Sequence, residues 1–347
     1  MKKVRVAVVG ASGYTGQELL RILLNHRGVD LVCATSRQYA GKALWEVFPR
    51  FRKVQGADLT FTDSQVEDIV KTGAEVAFLA LPHGVSVTYA RGLVDGGIRV
   101  IDLSADFRLR DPETYLEYYQ AEHPDVPLMK EAVFGLPEWR ADEIAKARIV
   151  ASPGCYPTSI MLPLIPLLKA GLLDLDGIVV NSSSGVTGAG RKASIDLLFC
   201  ECNASMHAYG VPKHRHLSEI EQELSWAAGE KVVISFTPHL IPVNTGICTT
   251  ISAKLKAGVE FEQIEKALHD AYDAAPFVRL LGRNKPADTK NVTRTNFVDI
   301  GWAHDVRTGR ILLMSAEDNI VKGAGGQGVQ SFNIMSGFDQ TEGLILL

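Results

Sequence analysis

Cys155 occupies the segment of this sequence that is most typical of a catalytic nucleophile. It lies in Ser-Pro-Gly-Cys-Tyr-Pro-Thr, between an apolar run typical of a strand and a helical pattern. A thiol near a helix N-terminus has its thiolate stabilised by the helix dipole, and the glycine and prolines fix a tight turn that presents it. Most single cysteines are instead small buried apolar residues. The turn, together with a candidate base further along the chain, favours a nucleophile.

A histidine-rich segment supplies that candidate base. His214 and His216 flank Arg215, and Glu219 follows three residues after the second histidine. If a helix begins near His216, Glu219 lies on the same face one turn later and can orient that imidazole or stabilise its charge. Cys155, His216 and Glu219 would then be nucleophile, base and orienting group, although either histidine could be the base.

Two other interpretations of the histidine-rich segment remain open. It could be a surface helix with solvated charges. It could also form a zinc site with Cys200 and Cys202, but the spacing matches no standard zinc finger or ribbon. We therefore predict no metal.

A glycine-rich turn near the start of the chain indicates a dinucleotide site. Gly-Ala-Ser-Gly-Tyr-Thr-Gly at positions 10–16 follows a predicted strand, Val4 to Val9, and opens a helical pattern. Small residues let the backbone approach a pyrophosphate, and the helix N-terminus supplies N–H groups and positive potential. The spacing is not the commoner G-x-G-x-x-G, but the context favours a cofactor over a turn that binds nothing. The predicted cofactor contacts here are Gly10, Ser12, Gly13, Tyr14, Thr15 and Gly16.

The end of the second predicted strand indicates which dinucleotide is bound. About 20 residues after the glycine-rich turn, NAD enzymes place an acidic residue on the ribose hydroxyls. This chain has Thr35, Ser36 and Arg37 there, which suit a 2′-phosphate, so we predict NADP. Arg37 could alternatively be a solvated loop charge. Pro82 and His83 follow a later strand, where the cofactor crevice should open, and we predict them on the cofactor side.

Two further clusters combine charge with backbone groups. Arg108 follows a strand end and could hold a substrate carboxylate with a bidentate fork, or it could be a salt-bridge partner in its loop together with Arg110. The stretch 181–192 contains Ser184 and Gly188 among hydroxyls, glycines and basic residues, and can cradle phosphoryl oxygens. Its alternative is a flexible glycine loop.

A nicotinamide cofactor and a thiolate in one chain indicate chemistry between acyl and aldehyde levels. Cys155 would attack an acyl phosphate, phosphate would leave, and hydride from NADPH would reduce the thioester. The thiohemiacetal would collapse to an aldehyde with His216 transferring the proton, while N–H groups near Cys155 stabilise the oxyanion.

The elements that must position these residues follow two patterns. Up to about residue 152, short β-branched runs alternate with helical patterns, which is typical of parallel α/β winding. Residues 107–137 are expected to form a long surface excursion. From about 154 to 315, a helix is followed by strand-like runs that indicate a mixed, largely antiparallel sheet. A glycine-rich helical pattern at 319–335 closes the chain and can return to the first domain.

Composition excludes several classes of function. The chain has 347 residues, 46% hydrophobic and 22% charged, with a formal net charge of −4, which predicts about two globular domains and neither nucleic acid nor membrane as partner. The run Ile160 to Leu173 is interrupted by prolines and is too short for a membrane span. The early first strand leaves no room for a signal peptide, so we expect a cytoplasmic protein with free thiols among its five cysteines.

Taken together, these motifs resemble the N-acetyl-gamma-glutamyl-phosphate reductase family of arginine biosynthesis. The resemblance covers essentially the whole chain and rests on the segments already described, on Leu-Pro-His-Gly at 81–84, Ala-Asp-Phe-Arg-Leu at 105–109, and Asp-Asn-Ile-Val-Lys-Gly at 318–323. It implies NADPH-dependent reduction of N-acetyl-glutamyl 5-phosphate to N-acetyl-glutamate 5-semialdehyde and phosphate. It also implies nucleophile, base and partner roles for Cys155, His216 and Glu219.

The resemblance carries further site and fold expectations. It implies an α/β protein in which a C-terminal helix completes a Rossmann domain (1–153 and 318–347), with a central α+β domain (154–317) that makes the contacts of a homodimer or homotetramer. Asn319 is expected near the nicotinamide, with Gly188 also on the cofactor side. The expected substrate contacts are Arg108, Ser184, Tyr209, His214 and Arg215.

Four rival interpretations remain. Aspartate-semialdehyde dehydrogenases and the carrier-linked aminoadipate reductases share the architecture, but Tyr156 directly after Cys155 resembles the acetylglutamyl enzyme. A hydrolase or acyltransferase that senses NADPH, and a non-catalytic NADPH-binding regulator, are the alternatives from other classes.

Overall fold

The computed structural model describes residues 3–63 and 65–345, and the chain divides into two compact units. The first unit runs to Pro153 and resumes at Ala324, and the second is Gly154–Gly323. The chain re-enters the first unit at Ala324, a few residues after residue 318, where the sequence predicts it.

A parallel sheet forms the centre of the first unit. Its six strands lie in the order β2-β1-β3-β4-β6-β5, and all neighbours are parallel. Residues 6–9 of the first strand are completely buried, as is typical of parallel strands covered on both faces. The order reverses around β1, so a crevice is expected at the carboxyl ends of β1 and β3. The strands are β1 (Val4–Val9), β2 (Val29–Ala34), β3 (Val76–Leu79), β4 (Arg99–Asp102), β5 (Val133–Phe134) and β6 (Ile149–Ala151).

Seven helices connect these strands. They are α1 (Tyr14–Leu23), α2 (Leu44–Val47), α3 (Val66–Lys71), α4 (Ser86–Asp95), α5 (Pro112–Tyr119), α6 (Val126–Glu131) and α7 (Pro137–Lys146), with a 3₁₀ turn at Pro49–Phe51. The expectation of a surface excursion over 107–137 is wrong, because this stretch contains α5, α6 and β5, and Phe107 and Leu128 are fully buried. Its Asp-Pro and Asp-Val-Pro sequences are helix starts in which Asp111 and Asp125 cap the first turn.

The second unit is built on a mixed sheet. Its seven strands lie in the order β11-β12-β13-β10-β7-β9-β8, and only the pairs β11–β12 and β7–β9 are parallel. The short strands β8 and β11 were not predicted. The strands are β7 (Ile178–Gly185), β8 (His207–Ala208), β9 (Ile234–Ile241), β10 (Ile247–Lys254), β11 (Val278–Arg283), β12 (Val298–Asp305) and β13 (Arg310–Glu317).

A buried helix lies against this sheet. The helix α8 (Cys155–Lys169) is apolar all round, and every residue from Tyr156 to Leu168 is buried, which is the expected state of such a helix. It contacts β10 and β13 as well as two further helices, α10 (Leu217–Ala228) and α11 (Phe261–Tyr272). The short helix α9 (Phe199–Cys202) and 3₁₀ turns at Val186–Ala189, Ile195–Leu197 and Thr289–Asn291 complete the unit.

The chain then returns to the first unit. A π-helical turn, Val321–Gly325, precedes α12 (Gly326–Ser336), which packs against α1, α7 and β4. The predicted fold class is confirmed: a Rossmann-type parallel sheet completed by a C-terminal helix, and a second domain with a mixed, largely antiparallel sheet.

Candidate active site

Cys155 is the first residue of α8, as the sequence predicts. Gly154 is the N-cap in an extended conformation, and Thr158 Oγ1 donates back to the Gly154 carbonyl at 3.1 Å. The thiol is half-buried and lies at the positive end of a fifteen-residue helix. This position favours the thiolate, which is the reactive form of cysteine.

Glu219 connects the histidine segment to this helix start. Its carboxylate is 1% exposed; Oε2 accepts a hydrogen bond from Gly154 N at 3.1 Å, and Oε1 lies 3.9 Å from His216 Nε2. His216 is the N-cap of α10, so the predicted arrangement of the two side chains one turn apart is present. Because 3.9 Å is too long for a hydrogen bond, the carboxylate attracts this nitrogen by charge when His216 is protonated.

His214 differs from His216 in its surroundings. Its Nδ1 accepts a hydrogen bond from His216 N at 3.2 Å, which leaves the ring proton on Nε2. Burial, and then the positive charge of Arg215, lower the pKa of His214 to about 4. His214 is therefore neutral at pH 7 and can donate from Nε2.

Two tyrosines form an aromatic wall beside the histidines. Tyr209 Oη donates to Tyr156 Oη at 2.9 Å, and the rings of Tyr156 and Tyr209 lie 5.7 and 5.6 Å from the His214 ring. Burial is the main cause that raises the pKa of Tyr156, and burial raises the pKa of Tyr209 to about 12. Both hydroxyls remain protonated at pH 7 and are donors.

These side chains line one pocket of about 330 Å³ in the second unit. Its walls contain the predicted residues Cys155, Ser184, Gly188, Tyr209, His214, Arg215 and His216. Sequence reasoning missed Tyr156, Asp196, Leu197 and His207, which also line it. Tyr156 was within the quoted cysteine motif, whereas the other three carry no local signal.

Gly323 lies against the nucleophile and was not predicted as a site residue. A Cβ added at this position would lie 2.6 Å from Cys155 Cβ and 3.0 Å from Glu317 Oε1. Glu317 is completely buried at the end of β13. Only glycine leaves room for Cys155 here.

Asn319 holds the glycine loop of the pocket. Its Oδ1 accepts from Gly246 N at 2.7 Å, and its Nδ2 donates to Thr187 Oγ1 at 3.0 Å. Gly188 packs against this amide, since an added Cβ would lie 3.5 Å from Asn319 Nδ2 and 3.2 Å from Ser184 Oγ. Asn319 therefore anchors the loop; its expected proximity to nicotinamide stays a prediction.

In the first unit, the glycine-rich turn has the form of a phosphate cradle. Gly10 has φ +80°, and a Cβ there would lie 2.5 Å from the Ala80 carbonyl oxygen; at Gly16 it would lie 2.6 Å from Ala11 Cα. At Gly13, by contrast, the nearest atom is 3.9 Å away. The outer glycines serve packing, and the middle one leaves open space at the start of α1, as a bound pyrophosphate needs. Tyr14 and Thr15 begin that helix.

Hydroxyl groups connect this turn to the end of β2. Thr35 Oγ1 accepts from Gly10 N at 3.1 Å, and Ser36 Oγ donates to Ser12 Oγ at 2.9 Å. Arg37 is exposed directly after them. The hydroxyls of Thr35 and Ser36 thus lie beside the turn; the contact of Ser36 and Arg37 with a 2′-phosphate stays a prediction.

The loop with Pro82 and His83 follows β3, and both residues are exposed. It is held by the buried carboxylate of Asp106, which accepts from Gly84 N at 2.7 Å and Val87 N at 3.1 Å. The His83 ring lies 5.5 Å from Tyr119. The loop is thus fixed next to the glycine-rich turn, whose Gly10 contacts Ala80.

Arg108 makes contacts that neither sequence interpretation included. Its Nε donates to Ser152 O at 2.8 Å and its Nη2 to Leu103 O at 3.0 Å, and the residue is 7% exposed. The guanidinium joins the segments directly after β4 and β6, and Ser152 lies three residues before Cys155. Contact of Arg108 with substrate stays a prediction.

Over residues 3–63 and 65–345, no group of three or more His, Cys, Asp and Glu side chains is arranged to hold a metal ion. In the same part of the chain, no helix is long and apolar enough to cross a membrane.

Family models match both halves of the chain. Residues 5–147 match the NAD-binding domain of semialdehyde dehydrogenases, and residues 155–319 match their dimerisation domain. Solved structures with this fold include aspartate semialdehyde dehydrogenase II of Vibrio cholerae complexed with ASA (TM-score 0.72, 19% identity, 97% of this chain and 99% of that one). Another is the Candida albicans aspartate semialdehyde dehydrogenase with NADP (TM-score 0.72, 15% identity, 96% and 98%).

Curated relatives are much closer in sequence. The chain is 77% identical over 347 residues, all of both chains, to N-acetyl-gamma-glutamyl-phosphate reductase of Akkermansia muciniphila. It is 47% identical over 342 residues, 98% of each chain, to the same enzyme of Desulfotalea psychrophila. Identity of this extent over the full length confirms the resemblance found in the motifs: the chain belongs to the N-acetyl-gamma-glutamyl-phosphate reductase family.

Proposed function

We propose that this chain catalyses the NADPH-dependent reduction of N-acetyl-glutamyl 5-phosphate to N-acetyl-glutamate 5-semialdehyde and phosphate in arginine biosynthesis, through a thioester on Cys155. The substrate and the reductase activity are those that the names of its relatives give. The observation that carries the mechanism is that the Glu219 carboxylate accepts a hydrogen bond from the peptide N–H directly before Cys155 and also lies beside His216.

The first step is attack by the Cys155 sulfur on the acyl carbon. His216 accepts the thiol proton, the C–O bond to phosphate breaks, and a thioester remains on Cys155. N–H groups in the first turn of α8 stabilise the oxyanion that forms during attack. His216 later returns its proton when the C–S bond breaks and the aldehyde leaves.

The residues of the first unit fit a bound dinucleotide. The open space at Gly13 and the start of α1 would hold the pyrophosphate, and Ser12, Ser36 and Arg37 would hold the 2′-phosphate, which distinguishes NADPH from NADH. NADPH, when bound, supplies the hydride that reduces the thioester.

The pocket walls supply donors and positive charge for the substrate. The exposed Arg215 and the neutral His214 can bind anionic or carbonyl oxygens, and the Ser184 and Tyr209 hydroxyls can complete the set. Arg108 belongs to the proposal as a further substrate contact. The proposed mechanism uses no metal ion. A homodimer or homotetramer acting in the cytoplasm, with all five cysteines as free thiols, is the remaining part of the proposal.

The test follows the reverse reaction, NADP⁺ reduction with N-acetyl-glutamate 5-semialdehyde, with and without inorganic phosphate. Aspartate semialdehyde and Cys155→Ala are run in parallel. We expect turnover that needs phosphate, prefers the acetylated aldehyde and disappears in the variant. Folded, NADPH-binding protein that turns over neither aldehyde would refute the proposal.

A further inference from the structure

A second buried carboxylate, that of Glu317, lies near the nucleophile and has no role in the proposed mechanism. Glu317 is the last residue of β13 and is completely buried. A Cβ added at Gly323 would lie 3.0 Å from Glu317 Oε1 and 2.6 Å from Cys155 Cβ. Because both atoms are close to the same point, Oε1 lies within about 6 Å of Cys155 Cβ, a distance at which one charge changes the pKa of another group.

The geometry of the sheet directs this side chain towards the start of α8. Successive residues of a strand point to opposite faces, so Ser315 and Glu317 share one face of β13. Ser315 Oγ donates to Ser159 O at 2.6 Å, so this face is the one that α8 covers. Cys155 lies about one helical turn before Ser159. The strand pairs with β10 on one side and β12 on the other as far as Glu317, which fixes the backbone of that residue.

Two influences therefore act on the Cys155 thiol in opposite directions. The N-terminus of α8 favours the thiolate, whereas a negative charge nearby favours the neutral thiol. Little water separates Glu317 from its surroundings, so its charge is weakly screened. Lys322, in the turn that follows β13, is also completely buried. Buried charges are costly unless they are compensated, so a carboxylate and an ammonium buried in one short segment favour the ionised form of both.

The other ionisable side chains around the thiol fall into three groups. Three are exposed at the pocket, so water screens their charges: Asp196, His207 and Arg215. Three are uncharged at pH 7, because burial raises the pKa of the tyrosines and lowers that of the histidine: Tyr156, Tyr209 and His214. The remaining two, His216 and Glu219, also act on the thiol but are not altered by a substitution at position 317.

We propose that the ionised Glu317 carboxylate raises the pH at which Cys155 loses its proton, so that the thiol stays protonated in the resting enzyme and gives its proton to His216 when the acyl phosphate is bound. Glu317 acts through Cys155 and is thus a positioning residue for the thiol proton. The first part of the proposal concerns the thiol alone. The second part rests on the proposed function, because it needs Cys155 to be the nucleophile in turnover.

The experiment measures the pH dependence of Cys155 alkylation by iodoacetamide in the full-length protein without substrate. The rate is followed between about pH 5 and 10 by mass spectrometry of the peptide that contains Cys155, which separates this thiol from the other four. Glu317→Gln removes the charge and keeps the size of the side chain. Glu317→Met is a second uncharged variant of similar volume, and thermal unfolding verifies the fold of each.

Asp299→Asn is the matched control, because it neutralises another buried carboxylate of the same sheet. Asp299 is 1% exposed and accepts from Arg279 Nε at 2.6 Å. It pairs with Ala316 in the register of β12 and β13, so its side chain points to the face opposite that of Glu317.

We expect the midpoint of the alkylation profile to fall by at least about one pH unit in both Glu317 variants, the usual effect of one buried charge at this distance. At a pH below both midpoints, this shift makes alkylation about tenfold faster than in wild type, because the thiolate is the reactive form. Asp299→Asn should keep the wild-type midpoint. The acidic limb of the kcat/KM profile for phosphate-dependent NADP⁺ reduction should move to lower pH in Glu317→Gln.

Equal midpoints in wild type and the folded Glu317 variants would overturn the proposal, and so would an equal shift in Asp299→Asn. If Glu317→Gln did not fold, Glu317→Met would decide by the same comparison. A shifted alkylation profile with an unmoved kcat/KM profile would remove the second part alone. Alkylation needs no substrate, so a shifted profile in a protein without phosphate-dependent turnover would disprove the proposed function and leave the effect of Glu317 on the thiol in place.

Discussion

Substituting Gly323 by alanine displaces the nucleophile without altering any group that reacts. The added Cβ would lie 2.6 Å from Cys155 Cβ. Carbon atoms in contact prefer about 3.5–4.0 Å, so the two atoms must separate by about 1 Å. Glu317 Oε1, 3.0 Å from the same Cβ, can yield by rotation of its side chain, but Cys155 Cβ is fixed to the backbone of α8.

The expected loss of activity follows from that displacement. A shift of about 1 Å in a reacting group costs about a hundredfold in rate. This corresponds to about 2.7 kcal/mol of activation free energy at 1.36 kcal/mol per factor of ten. In the phosphate-dependent NADP⁺ reduction assay we expect kcat/KM to fall by about that factor. NADPH affinity should stay unchanged, because the glycine-rich turn is not altered.

A matched variant is available in the same C-terminal segment. At Gly328 in α12 the nearest atom to an added Cβ is Leu103 Cδ2 at 3.5 Å, an ordinary contact, and alanine is favoured over glycine in a helix by about 1 kcal/mol. Gly328→Ala should therefore retain full activity. If Gly323→Ala were equally active, with an unchanged thermal midpoint, the argument that this glycine fixes the nucleophile would be refuted.

Three other substitutions test separate parts of the site and fold. His216→Asn should lower kcat about a hundredfold or more, the usual share of a general base, while His214→Asn should mainly raise KM; a larger kcat loss at His214 would exchange their roles. Arg37→Ala should weaken the binding of NADPH at least about tenfold more than the binding of NADH in fluorescence titrations, and an equal loss of affinity for both would disprove the 2′-phosphate contact. Burial raises the pKa of Asp102 from 3.8 to about 6, so the folded chain keeps a proton that the unfolded chain releases in that range. Stability contributed by this carboxyl thus falls as pH rises from about 4 to 6. In urea unfolding at successive pH values, Asp102→Asn should make the free energy of unfolding less dependent on pH over this range; the same pH dependence in variant and wild type would contradict the argument.

The local sequence was sufficient to predict a site where all of its residues lie in one turn of the chain. The glycine-rich turn after β1 and the Gly-Cys start of α8 were predicted because strand, turn and helix N-terminus are contiguous in the chain. The pairing of His216 with Glu219 was predicted because helical periodicity fixes neighbours three residues apart. Both sheets were recognised from the change in strand and helix pattern near residue 153.

Contacts between distant segments could not be predicted in this way. Gly323 touches Cys155 across 168 positions of sequence, and nothing around Gly323 indicates which atom its missing side chain avoids. The backbone contacts of Arg108 depend on strand ends meeting at one edge of the sheet. The surface excursion was wrongly expected because acidic residues and prolines were treated as loop formers, although here they cap helices.

The Glu219 carboxylate serves both the peptide that precedes the nucleophile and the candidate base. A buried charge is costly unless it is compensated, and here the Gly154 N–H and the first turn of α10 supply compensation. Further compensation becomes available when His216 takes a proton, because Oε1 lies 3.9 Å from its Nε2. In the proposed mechanism, transfer of the Cys155 proton to His216 is therefore favoured by the same charge that holds the peptide preceding the nucleophile. Glu219→Gln would keep an acceptor for Gly154 but lose this charge, so the mechanism requires it to impair proton transfer more than the position of Cys155.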